Sequence, residues 1–158
     1  MSRFSRTTGG IEIELEDTEV AILSRLSSLL GAVGVDKNDP ARSRLNPKIY
    51  ADDGRASREF ERLVGKERDE ARSADRERFT DTLQAVAAGT IVLTDRDAAV
   101  WLRVLGEARI VLSARKGLFD TGLPTEPPTD PEIALVMLLG YLQEELVGEM
   151  LAAMEDRP

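Results

Sequence analysis

Apolar and polar positions alternate strictly from Ile11 to Leu15, reading Ile-Glu-Ile-Glu-Leu. A period of two predicts a short, half-exposed strand. Val20, Leu23, Leu26, Leu30 and Val33 then recur at three and four residues. That spacing predicts a helix from about Glu19 to Val33, capped by Thr18 and stopped by Gly34. Across 35–56 the pattern lapses into Asp36, Asn38, Asp39-Pro40, Asn46-Pro47 and Asp52-Asp53-Gly54. Such turn chemistry predicts a long irregular connection, pinned by Leu45, Ile49 and Tyr50. A loop of this length inside a small domain often carries function.

Two helices are expected next, over 56–64 with Phe60 and Leu63 and over 66–88 up to Gly89, split near Gly65. The second begins almost wholly charged and gains an apolar face only at Phe79, Leu83 and Val86. Ile91-Val-Leu93 reads as another extended piece, able to pair with residues 11–15. Thr94 with Asp97 three positions on resembles a capping box. Behind it Trp101, Leu105, Ala108 and Leu112 form one helical stripe to about Lys116, closed by Gly117. After a Gly/Pro/Thr loop at 117–129, Asp130-Pro131 supplies a cap and a first-turn proline for a last helix to about Glu155. No charge occurs from Ile133 to Leu142, so this segment is apolar around its whole circumference. It therefore reads either as a central core helix or as the seam of a homodimer. The expected fold is mainly α: about five helices in one compact domain over 11–155, with a short two-stranded β pair (11–15 and 91–93). Residues 1–10, polar, basic and ending in two glycines, read as a flexible tail.

At 158 residues the chain suits one domain and needs no covalent staples. It contains neither cysteine nor histidine. This removes Ser-His-Asp and thiol nucleophiles, disulfide relays and zinc fingers, leaving carboxylate, Lys, Arg, Ser/Thr and Tyr chemistry. No cofactor is implied, since neither a GxGxxG nor a GxxxxGK[ST] loop is present. The longest apolar run is too short to cross a bilayer, and no signal segment opens the chain, so a cytoplasmic protein is expected. The formal net charge is −8, yet residues 42–78 hold 11 basic against 9 acidic side chains. Within them Arg68, Arg72 and Arg76 share one helix face, either a contact for an acidic partner or a solvated face shared with Asp69 and Asp75. Arg109 and Arg115 fall within or beside the Trp101 stripe, while Arg103 and Glu107 face away from it. A guanidinium so placed pairs with a carboxylate, Glu59 for example, caps backbone carbonyls, or else lines an anion or carboxylate pocket. The acidic balance disfavours direct nucleic-acid contact. Candidate partner-binding residues are therefore Tyr50, Arg68, Arg72, Arg76, Trp101, Arg109 and Arg115, with no catalytic residue and no metal ligand assigned.

Three motifs add to this: Asn46-Pro47-x-x-Tyr50-x-Asp52-Asp53, then Glu59-Phe60-x-Arg62-Leu63, then Trp101-Leu102-x-x-Leu105-x-x-x-Arg109-x-x-Leu112-x-x-Arg115-x-Gly117. Together they make residues 11–153 resemble an actinobacterial domain-of-unknown-function family with AosR-like oxidative-stress regulators, whose genes often neighbour the ClpS adaptor gene. The resemblance implies an α-helical, non-enzymatic regulator acting through a protein partner such as the transcription machinery. It cannot extend to a thiol switch in a chain without cysteine. A carboxylate-based, metal-assisted enzyme and an accessory to Clp proteolysis are the alternatives.

Overall fold

In the computed structural model, residues 2–47 and 52–155 are described. Three strands, β1 (Phe4–Thr7), β2 (Gly10–Ile13) and β3 (Ile91–Leu93), form one antiparallel sheet in the order β1-β2-β3. Ile11 pairs with Leu93 and Ile13 with Ile91, so the expected partnership of these two segments is present. The sequence reading missed β1. Residues 4–7 pair with β2 from Phe4↔Ile13 to Thr7↔Gly10, and Phe4 is fully buried. One apolar residue among polar ones gave no periodicity, yet its ring meets Trp101 edge-on at 6.3 Å. Gly10 turns the hairpin at φ 147°, where a Cβ would lie 2.1 Å from the Leu93 carbonyl oxygen; only glycine fits there.

The helices are α1 (Asp17–Leu23), α2 (Leu26–Gly31), α3 (Pro40–Leu45), α4 (Gly54–Ala88), α5 (Asp95–Arg115), α6 (Leu118–Thr121) and α7 (Pro131–Glu155). The fold is thus mainly helical with a small sheet. Three boundaries differ from the pattern reading. The helix expected over 19–33 breaks at Ser24-Arg25, and its N-cap is Glu16, whose N–H donates to the Glu19 carboxylate at 3.1 Å. The 35–56 connection contains α3, because Asp39 accepts from the Ala41 N–H at 3.0 Å and Pro40 supplies the preset first-turn φ. The split near Gly65 is absent: α4 runs unbroken for 35 residues. One interior glycine costs a helix only about 1 kcal/mol, and Arg68 bridges this one by a two-pronged bond to Glu61 at 3.0 and 2.9 Å.

The central element is α5, against which α7, α4, α3 and α2 all pack. Thr94 caps it through the Asp97 N–H at 3.1 Å, and Gly117 (φ 67°) lies just past its end. Its buried face carries Val100, Trp101, Val104, Leu105, Ala108, Val111 and Leu112. Val136, Leu139, Leu142 and Leu146 of α7 complete the same core, whereas Tyr141 faces outward. The charge-free stretch Ile133–Leu142 therefore has a core side and an outer side. Three bonds fasten the sheet to α7: Arg3 N–H and Nη1 donate to Glu145 at 3.1 and 3.0 Å, and Arg6 N–H to Glu149 at 2.9 Å.

Candidate functional site

Basic side chains on α4 face the α2–α3 segment across a cleft of about 1000 Å³. Arg68, Arg72 and Arg76 lie one helical turn apart, so α4 delivers all three to one wall. Lys37 and Arg42 come from the opposite wall, giving five cationic lining residues against the anions Asp39, Glu61 and Asp69. On a chain of net charge −8 this is a local reversal of sign.

The five cations are not equally occupied. Arg68 is held by Glu61, whose carboxyl lies below its ordinary range chiefly because that guanidinium bonds to it. Arg72 bonds Asn46 Oδ1 and the Leu45 carbonyl (3.1 Å), tying the end of α3 to α4. Its Nε also lies 3.5 Å from Glu107 of α5. Arg42 and Arg76, among the described residues, make no side-chain hydrogen bond and no ion pair within 4.0 Å. Their charges act on Glu61 and Glu107, respectively, only at longer range.

Glu107 faces away from the Trp101 stripe, as expected, yet does not reach open solvent. Its side chain is 16% exposed, between α5 and α4, and its Oε2 has no hydrogen-bond partner among the described residues. Burial pushes its carboxyl above the usual range, with Arg72 opposing. The 100° rule placed it opposite Trp101 correctly, but α4 covers that side of α5 as well.

The remaining candidates separate. Trp101 is fully buried, its Nε1 donating to Thr82 Oγ1 at 2.7 Å and its ring 4.7 Å from that of Phe79. It is a core residue with no surface to offer a partner. Arg115 makes a two-pronged bond to Asp39 at 3.2 and 2.8 Å, closing α5 onto the cap of α3. This is the structural ion pair foreseen for it, with Asp39 rather than Glu59; Glu59 bonds Arg62 on α4. The Arg115 guanidinium holds the Asp39 carboxyl down at about 2, against an ordinary 3.8. Arg109 sits in a second groove, against Gly140, and among the described residues its side chain donates only to Gln143 Oε1 at 3.4 Å. Tyr50 lies outside the described residues. The reading of the residues missed Lys37 and Arg42, for which the only signal was a basic Ala-Arg-Ser-Arg run beside the Asp39-Pro40 cap.

Asp53 caps α4 through the Arg55 and Ala56 N–H groups, and Glu145 receives Arg3. Among the described residues no three carboxylates converge as a metal site would need, and no helix is long and apolar enough to cross a membrane. No curated protein and no solved structure matches the chain. Residues 1–150 match the model of a family described as a domain of unknown function, DUF2017, and the chain belongs to that family.

Proposed function

We propose that this chain is a non-enzymatic regulatory module of the cytoplasm that takes an acidic segment of a protein partner into its arginine-lined cleft. The observation that carries this reading is the pair Arg42 and Arg76, two guanidinium groups with no direct ionic partner among the described residues, on facing walls of a basic cleft in an acidic protein. Guanidinium groups match carboxylates geometrically and bind them with charge-assisted hydrogen bonds. The net negative charge of the rest of the molecule repels nucleic acid, which favours a compact acidic peptide over a polyanion. The motif resemblance to AosR-like oxidative-stress regulators of actinobacteria supports a transcription-related partner and a role in the stress response.

The test compares the full-length chain with its Arg42→Glu/Arg76→Glu variant as baits in native lysate. The wild type is expected to enrich a component of the transcription machinery, and the double reversal to lose it while keeping the wild-type circular dichroism. A wild type that enriches no such component, or a variant that enriches it equally, overturns the reading. Recovery of a Clp protease component instead would replace the transcription partner with proteolysis.

A further inference from the structure

The side of α7 turned away from the core runs through Met137, Tyr141, Glu144, Gly148 and Leu151, at three- and four-residue spacing. Tyr141 is 57% exposed, Leu151 54% and, at the far end of the same side, Met154 65%. Scattered apolar residues are normal on any surface, but several aligned on one side of a helix, here interrupted by Glu144 and Gly148, mark a surface suited to a partner. The row from Met137 to Met154 is about 26 Å long at helical rise, enough for a helix-to-helix seam. A Cβ at Gly148 would meet nothing within 4 Å, so a second helix backbone can approach closely there.

Charge says what that second helix is. A groove of about 630 Å³ opens beside the row, lined by Leu102, Leu123 and Val147 and by two ionic residues, Arg109 and Glu144. Among the described residues neither has an ion-pair partner within 4.0 Å; Arg109 has only the long bond to the Gln143 amide. One groove thus presents an unmatched cation and an unmatched anion. In a two-fold arrangement that set Arg109 of one copy on Glu144 of the other, the reciprocal pair would form as well, since residue i meets j and j meets i in such an interface. The surface itself supplies both halves of the pair that it lacks.

We propose that two copies of this chain associate through the outer side of α7 and the α5–α7 groove, with reciprocal Arg109–Glu144 pairs and with Tyr141 and Leu151 at the apolar centre. The interface keeps Val136, Leu139 and Leu142 in each protomer's own core and uses only the outer side of the charge-free stretch. It is independent of the arginine cleft, so failure of one reading leaves the other standing.

Sedimentation equilibrium on the full-length chain tests it. A dimer of the 17.4 kDa chain is expected at micromolar concentration, and Tyr141→Asp is expected to give a monomer with unchanged far-ultraviolet circular dichroism. Arg109→Glu and Glu144→Arg should each weaken association about tenfold or more, equivalent to about 1.4 kcal/mol. The combined Arg109→Glu/Glu144→Arg exchange should regain most of that loss, because it rebuilds the pair with reversed polarity. A wild type that stays monomeric at high concentration overturns the proposal and leaves the face to a different protein or to water. A double exchange no tighter than the single variants overturns it equally.

Discussion

Thr82 Oγ1 accepts from the indole of Trp101 and donates in turn toward the Arg78 and Phe79 carbonyls, at 2.9 and 3.0 Å. Thr82→Val keeps the shape and removes the acceptor, stranding a buried N–H. A loss of about 1–3 kcal/mol is expected, measurable by urea unfolding followed on the single tryptophan. The Asp39–Arg115 pair adds a pH dependence whose sign is fixed. A carboxyl whose folded pKa is depressed stabilises the fold above its unfolded value and loses that contribution as pH falls through the folded one. The contribution is therefore complete above the ordinary 3.8 and disappears toward about 2. Asp39→Asn should cost about 1–2 kcal/mol at neutral pH, after allowing for solvent around the arginine. The urea midpoints of variant and wild type should converge as pH approaches that lower value. Both residues of this pair stood out in the sequence, Asp39 as turn chemistry in an irregular connection and Arg115 as an odd guanidinium. Their partnership did not, because 76 positions separate them and local periodicity carries no information at that range. Trp101 was legible as part of an apolar stripe, but its depth was not, since Phe4 and Phe79 cover it from elements far along the chain.

Gly65 lies inside α4 with its neighbours on both sides fully helical. A Cβ there would stand 3.1 Å from Glu61 Oε2, the free end of a flexible side chain that can swing aside. Alanine recovers helix propensity of up to about 1 kcal/mol relative to glycine, so Gly65→Ala should raise the thermal midpoint in a calorimetric scan. A fall would mean that the Glu61–Arg68 bridge, disturbed by the methyl group, matters more than propensity. Legibility at this scale follows signal length. The long stripe of α5 and the Asp130-Pro131 start of α7 were plain, the latter with Asp130 accepting from the Glu132 N–H at 2.9 Å. Four-residue β1 and six-residue α3 offered too few apolar positions to show a period, although the Asp39-Pro40 signal for α3 was present. The opposite error at Gly65 came from treating a glycine as a break where a bridge within the same helix, Glu61 to Arg68, spans it.

In the whole molecule, α5 is enclosed by α7, α4, α3 and α2, with the sheet covering the Trp101 end. Phe4 of β1 is as deeply buried as Leu105 or Leu139. Phe4→Ala should therefore cost about 3–5 kcal/mol, as for any large core side chain, and deletion of residues 1–9 should cost at least as much, read by the same urea titration. The mainly helical class was legible because most apolar spacing follows 3.6. The arginine cleft was only half legible: one wall is a regular stripe on α4, whereas the other is set by a turn-rich segment whose path no periodicity describes.

The bonds from Arg3 and Arg6 to Glu145 and Glu149 join positions 142 and 143 residues apart. During synthesis β1 and β2 emerge long before the helix that secures them. Contacts of such sequence separation are costly to close and form late. The hairpin thus stays undocked from α7 until that helix has been made, and locking of the native state waits on it.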